Sequence, residues 1–118
     1  LNNARVASLY DALHPAVLRA IYQVIEAAHR QGKPVGVCGE MAGDPVAAIV
    51  LLGMGVDNLS MSVASLPRVK WAIRNISRDR AKAVLDEVLE MDDADSVREH
   101  VEKLLESVGL GGLVHAGK

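Results

Sequence analysis

The chain has 118 residues, which is enough for one domain of ordinary size and too few for two. A net charge of −2 and an aromatic content of 3% exclude a strongly basic surface and a stacking platform for bases, so neither nucleic acid nor a membrane is an expected partner. The single cysteine, Cys38, cannot form an internal disulfide, which predicts a cytoplasmic location. The chain starts at Leu1 without an initiator methionine, and we expect it to be part of a longer protein.

The first predicted helix starts where His14 precedes Pro15, because proline is favoured at the first helical position. Gly32 is expected to end this helix in a left-handed cap. An apolar stripe recurs between these residues at helical spacing and comprises Val17, Leu18, Ile21, Val24, Ile25 and Ala28. We expect the helix to bury this stripe.

A strand, a helix and a second strand are predicted next. Residues 34–38 form a short segment that contains β-branched side chains, which predicts a buried strand. Asp44 then caps a helix over residues 46–53 whose side chains are apolar on every face. The sequence Gly53-Met54-Gly55 is expected to end that helix, and residues 59–63 alternate apolar side chains with serines as a strand does. This order predicts a βαβ unit with two parallel strands.

Three further helices are predicted after residue 64, with Ser65, Ser77 and Asp93 as their N-terminal caps. Two parallel strands with about five helices give an α/β fold class, and a sheet of two strands leaves both edges unpaired. We therefore interpret the chain as the C-terminal quarter of a (β/α)₈ barrel. Residues 1–76 are its last βα units, residues 77–108 are a C-terminal helical extension, and residues 109–118 are a flexible glycine-rich tail. The open edges predict self-association of the chain on its own.

The candidate site is Cys38-Gly39-Glu40, at the C-terminal end of the first strand, where barrels of this kind carry their reactive groups. Gly39 allows a ligand to approach the backbone closely, and Glu40 has a carboxylate that can accept a proton or hold a polar group. Two alternatives stay open from the residues alone. In the first alternative, Cys38 is a small buried apolar residue without a chemical role. In the second, Glu40 is a loop or ion-pairing residue.

Other polar residues give weaker signals. Ser60 and Ser62 on the second strand are candidates for contact with a ligand or for hydrogen bonds to a neighbouring loop. The four histidines are scattered over different elements and predict neither a metal site nor a base beside the thiol: His14, His29, His100 and His115.

Several linked motifs carry a family resemblance. They are residues 9–10 (LY), 13–18 (LHPAVL), 36–45 (GVCGEMAGDP), 51–55 (LLGMG), 59–62 (LSMS) and 65–68 (SLPR). With these motifs the chain resembles the C-terminal part of enzyme I, the phosphoenolpyruvate-protein phosphotransferase of the bacterial sugar phosphotransferase system. The resemblance is strong over residues 2–76 and weak beyond them. Residues 109–113 (GLGGL) resemble the ending of the nitrogen-related paralogue.

The resemblance implies a magnesium-dependent transfer of phosphate from phosphoenolpyruvate to a histidine of the enzyme and then to a phosphocarrier protein, with release of pyruvate. In this family the cysteine of the Gly-x-Cys-Gly-Glu motif is the proton donor, and it corresponds to Cys38. Gly39 and Glu40 are candidate substrate-binding residues. No metal ligand is assigned within the chain, because the family's Mg²⁺ ligands and its phosphorylated histidine lie upstream of Leu1. The resemblance also implies a homodimer.

One position departs from the family pattern, because Leu1 stands where the family has a substrate-binding arginine. We interpret Leu1 as a cloning remnant, with loss of a phosphate contact as the alternative. Two other interpretations of the whole chain are kept. In one it acts as an association module and has no catalytic activity in isolation, and in the other it is an unrelated small helical domain with an inert cysteine.

Overall fold

A computed structural model describes residues 11–109 of the chain. Within this range the order of elements is helix, strand, helix, strand and three helices. They are α1 (Pro15–Arg30), β1 (Gly36–Cys38), α2 (Pro45–Met54), β2 (Asn58–Ser60), α3 (Leu66–Asn75), α4 (Arg78–Val88) and α5 (Ala94–Ser107). The predicted α/β class is therefore confirmed, with two parallel strands and five helices in the described part of the chain.

Helix α1 begins and ends as predicted. The His14 Nδ1 accepts a hydrogen bond from the Ala16 N–H at 3.1 Å, and Gly32 has a left-handed φ of 69°. Leu18 and Ile25 are buried, but Val24 is 64% exposed, so the predicted stripe is only partly correct. Val24 lies about 120° around the helix from Leu18 and therefore misses the face that packs on the core.

The two strands form a parallel pair in which Cys38 lies opposite Ser60. The prediction of a buried first strand is wrong, because Gly36 and Cys38 are exposed and only Val37 is half-buried. A two-stranded sheet has helices against one face only, so alternate residues of each strand face outward. The second strand also stops at Ser60, three residues earlier than predicted, because β1 offers only three residues for pairing.

Helix α2 lies at the centre of the described residues and contacts α3, α4 and α5. It is buried on nearly every side, as its uniformly apolar sequence predicts. The expected stop at Gly53-Met54-Gly55 is confirmed, since the helix runs to Met54 and is capped by Gly55, which has a φ of 87°, while Gly53 is still helical. Gly53 lies against the backbone of Ala81 in α4.

Two of the three N-terminal caps predicted for the later helices are confirmed. The Ser77 hydroxyl accepts a hydrogen bond from the Arg80 N–H, and the Asp93 carboxylate accepts one from the Ser96 N–H. Ser65 precedes α3, but its hydroxyl lies 3.1 Å from that of Ser62 instead of capping the helix.

The predicted tail beyond residue 109 lies outside the described residues. The barrel assignment and the boundaries after residues 76 and 108 stay predictions. Among the helices within residues 11–109, none has both the length and the apolar character needed to cross a membrane.

Candidate functional site

The candidate site is built on a tight loop, residues 39–43, which joins β1 to α2 and which we call the Cys38 loop. It starts at Gly39, whose φ of 99° is a conformation that side chains larger than hydrogen rarely adopt. The Gly39 N–H donates to the Ser60 carbonyl at 3.2 Å, which ties the loop to β2. The Gly43 N–H donates to the carbonyls of Gly39 and Glu40 and closes the turn. The loop therefore has a defined backbone directly after Cys38.

Cys38 lies at the C-terminal end of β1 with its side chain exposed. The parallel register places Ser60 directly opposite, so both side chains project from the same face of the sheet. Gly36 and Asn58 are the other exposed residues of this face, whereas Val37 and Leu59 pack toward the core. The alternative that Cys38 is a small buried residue is wrong. The exposed face of the sheet is small and polar, with the thiol at its C-terminal edge.

A cleft of about 530 Å³ opens beside the thiol. Its lining comes from the segment before α1, the Cys38 loop, the start of α2 and one residue of α5: Asp11, Ala12, Leu13, Cys38, Glu40, Met41, Asp44, Ala47 and Arg98. Three carboxylates and one guanidinium line this cleft. An anionic substrate would therefore need cationic partners beyond these lining residues.

Glu40 is exposed in the Cys38 loop and lines the same cleft as Cys38. Gly39 forms the left-handed corner between them. The three residues singled out from the sequence are thus brought together at one edge of the sheet. A role for Gly39 and Glu40 in substrate binding stays a prediction.

Asp44 and Arg98 form the ion pair of the cleft, with 2.7 Å between the carboxylate Oδ2 and the guanidinium Nη2. Burial acts to lower the pKa of Arg98, but the hydrogen bond and charge of Asp44, with the charges of Asp11 and Glu102, outweigh it and raise that pKa. Sequence reasoning identified Asp44 only as a helix cap and missed Arg98. No local signal connects two residues that are 54 positions apart.

The serines of the second strand have different environments. Ser60 is exposed opposite Cys38, and its carbonyl accepts the Gly39 N–H. Ser62 lies beyond the strand and is hydrogen-bonded to Ser65, as the loop alternative expected. A side chain at Gly43 would come within 3.0 Å of the Ser65 hydroxyl, so the turn before α3 packs closely on the Cys38 loop.

Each of the three described histidines has a partner of its own. His14 caps α1, His29 pairs with Asp57 at 2.8 Å, and His100 pairs with Glu87 at 2.6 Å. None of these three lines the cleft. His115 lies outside the described residues. His100 is half-buried and joins α5 to α4, so its description as a surface residue is only partly correct.

Within positions 11–109 no group of three or more His, Cys, Asp or Glu side chains is arranged to hold a metal ion.

The fold and the site together define a class of protein. It is an α/β protein with parallel strands, and it carries an exposed thiol at the C-terminal end of a strand, directly before a loop that starts at a glycine. Comparison with known families gives a match over residues 1–78 to the family described as PEP-utilising enzyme, PEP-binding domain. The chain belongs to this family.

Individual relatives are similar over most of the chain. A protein of Salmonella typhimurium named phosphoenolpyruvate-dependent phosphotransferase system is 43% identical over 116 residues, which are 98% of this chain and 16% of that protein. Proteins named phosphoenolpyruvate-protein phosphotransferase are 45% identical over 103 residues in Haemophilus influenzae and 46% identical over 99 residues in Priestia megaterium. These matches cover 87% and 84% of this chain, and 18% and 17% of the two proteins. The chain thus spans about one sixth of the length of these relatives, and the predicted resemblance is confirmed.

Proposed function

We propose that the chain is the C-terminal part of a phosphoenolpyruvate-protein phosphotransferase and that it supplies the proton donor of the reaction, Cys38. The family match and the names of the relatives support the reaction class. One observation carries the assignment of the donor. Cys38 is an exposed thiol at the C-terminal end of a parallel strand, beside an open cleft and on a polar face of the sheet. This is the position where α/β barrels hold their reacting groups.

The proposed reaction is phosphoryl transfer followed by protonation of carbon. A histidine nitrogen of the complete protein takes the phosphoryl group, and the P–O bond to the enol oxygen breaks with its electrons left on that oxygen. The resulting enolate must gain a proton at C3 to become pyruvate. The Cys38 thiol gives that proton and is left as a thiolate, which then takes a proton from water. A general acid needs no base beside it, which fits a cleft that none of the described histidines lines.

The remainder of the proposal concerns the complete protein. In the complete protein, β1 and β2 are proposed to close a (β/α)₈ barrel with strands from the preceding part of the protein. The sheet face with Gly36, Cys38, Asn58 and Ser60 then lines the interior of that barrel. Mg²⁺ is proposed to bind to residues outside the described part. The proposed partners are a phosphocarrier protein and a second copy of the enzyme, in the cytoplasm. A nitrogen-related role is the alternative to sugar transport.

The test is Cys38→Ser in the complete protein, assayed for pyruvate formation from phosphoenolpyruvate with Mg²⁺ and a carrier protein. We expect pyruvate formation to slow by roughly 10²-fold, the scale on which a general acid contributes, because a serine hydroxyl is a much weaker acid than a thiol. Ser96→Ala, a change on the exposed side of α5, is the control and should keep the parental rate. Parental rate and unchanged facial selectivity of protonation at C3 in Cys38→Ser would refute the donor role.

An association module is the second candidate function, and exposed apolar side chains favour it. Val63, Leu66 and Trp71 are 86%, 43% and 59% exposed on α3 and the turn before it. The two functions separate when the 118-residue chain is tested for binding of phosphoenolpyruvate and for self-association, because an association module keeps only the second. A separate assay incubates the chain with phosphoenolpyruvate, Mg²⁺ and a carrier protein. We expect no pyruvate above background from the isolated chain, and pyruvate release would contradict the need for the rest of the enzyme.

A further inference from the structure

The carboxylate of Asp44 makes two different bonds at the point where the Cys38 loop becomes helix α2. Its Oδ1 accepts the Val46 N–H at 3.0 Å and so caps α2. Its Oδ2 accepts a bond from the Arg98 guanidinium at 2.7 Å. One oxygen therefore serves the helix, and the other connects the loop to α5, a helix that starts about fifty residues later in the chain.

Arg98 is held in place by its own helix. Its neighbours Val97 and Val101 are completely buried, and α5 contacts both α2 and α4. The Arg98 side chain is 38% exposed and that of Asp44 is 29% exposed, so water screens this pair less than it screens the Lys103–Glu99 pair, whose side chains are 69% and 70% exposed. The Arg98 guanidinium is thus a cation on a packed helix that contacts Asp44, the residue directly after the Cys38 loop.

A series of backbone hydrogen bonds extends from Asp44 to Gly39, the residue after Cys38. The Asp44 N–H donates to the Met41 carbonyl, and the Gly43 N–H donates to the carbonyls of Glu40 and Gly39. Gly39 directly follows Cys38 and is bonded to the carbonyl of Ser60. The backbone between Asp44 and Cys38 is therefore a hydrogen-bonded turn of five residues, 39–43.

We propose that Arg98 is a positioning residue for proton transfer: through Asp44 it holds the Cys38 loop so that the thiol is aimed at C3 of the enolate. The inference rests on the proposed donor role of Cys38. It also gives the helical extension a function in catalysis, because α5 supplies a side chain of the cleft. Misplacement of a reacting group by about 1 Å can cost about 10²-fold in rate, so loss of this anchor is expected to be large enough to measure.

The test uses the complete protein with Arg98→Met, which keeps the apolar stem of the side chain and removes the charge. A second variant, Asp44→Asn, keeps an oxygen that can cap α2 and removes the ion pair. The double variant shows whether both changes act through one interaction. Lys103→Met is the matched control, because it removes a cation from the same helix at a pair that is largely exposed to water.

Two measurements are made on each variant: kcat and KM for phosphoenolpyruvate, and the facial selectivity of protonation at C3. For the second, the substrate carries tritium at one of its two C3 positions and the reaction runs in D₂O, so that the methyl group of pyruvate is chiral. We expect Arg98→Met and Asp44→Asn each to lower kcat about 10-fold, leave KM within about twofold and reduce the selectivity. The double variant should be no worse than either single variant, and Lys103→Met should match the parent.

A purely structural ion pair would lower the thermal midpoint and leave the selectivity intact, which would overturn the proposal. Parental kcat in both Arg98→Met and Asp44→Asn would overturn it as well. Cys38→Ser is measured in parallel: if it retains parental activity, the proposed function itself fails, whereas a defect there with normal Arg98 and Asp44 variants refutes only the positioning role. If Arg98→Met does not fold, Asp44→Asn, which removes the same ion pair, carries the test.

Discussion

Asp57 joins three parts of the chain at the N-terminal edge of the sheet. Its Oδ2 accepts the Val35 N–H at 2.7 Å and lies 2.8 Å from the His29 Nε2 at the end of α1. The backbone hydrogen bond from Val35, followed by the bond from His29, holds the pKa of Asp57 below the usual 3.8. One exposed carboxylate thus connects α1, the segment before β1 and the start of β2, on the edge opposite to Cys38.

The lowered pKa of Asp57 predicts a pH-dependent contribution to stability. Because the folded-state pKa lies below 3.8, the contribution is present above that pH and is lost as the pH falls through the folded-state value. We expect Asp57→Ala to lower the urea midpoint of unfolding at pH 7. The difference in urea midpoint between this variant and the parent chain should narrow below about pH 4. Urea titrations at pH 7, 5 and 3 measure this, and a difference that stays constant across the series would contradict it.

At the scale of elements, Gly53 sets how closely α2 and α4 pack. A Cβ built at Gly53 would lie 2.4 Å from the Ala81 carbonyl oxygen and 2.9 Å from its carbon. These are backbone atoms of α4, which cannot rotate away as the end of a flexible side chain can. The absence of a side chain therefore lets the two helices approach each other, and α2 is buried between α4 and its other neighbours for this reason.

We expect Gly53→Ala to destabilise the chain by about 1–3 kcal/mol, the usual cost of overpacking a core, even though alanine is the better helix former. Gly36→Ala is the matched control, since a Cβ there would meet the Asn58 Cβ at an ordinary 3.5 Å. Chemical denaturation of both variants measures the difference. Stabilisation by Gly53→Ala would show that the helices separate at little cost.

At the scale of the whole molecule, the described residues combine a well-buried aliphatic core with open strand edges. The core is formed by α2 and the residues that surround it, and the sheet has two strands with both edges unpaired in the described part. Exposed apolar side chains lie on α3 and on the turn before it, at Trp71 and Val63. The exposed face of the sheet instead carries small and polar side chains. It is therefore better suited to contact with water or a polar ligand than to contact with a protein partner.

We expect the 118-residue chain to self-associate at micromolar concentration through its strand edges and the apolar side chains Val63, Leu66 and Trp71. Burial of about 1,000 Å² of apolar surface favours association by on the order of 25 kcal/mol before its entropic costs, which remove most of this gain. Sedimentation velocity measures the species present. Trp71→Glu should weaken association more than Val24→Glu on α1, and a compact monomer at all concentrations would contradict the prediction.

The sequence by itself determined most of the local structure. The caps at His14, Asp44, Ser77 and Asp93 and the βαβ order are confirmed, because capping and periodicity act between residues two to four positions apart. It also located Cys38, Gly39 and Glu40 at the end of the first strand, since the end of a short apolar run between glycines and prolines is a local feature.

Only the tertiary structure decided what surrounds these residues. Exposure of Cys38 depends on which face of the sheet the helices cover, and the contact of Gly53 with Ala81 depends on how closely two helices approach. The bond from Arg98 to Asp44 joins residues 54 positions apart, where no pattern of caps or periodicity operates. Such contacts follow from the packing of all the elements at once, because burial of the common apolar core brings distant parts of the chain together.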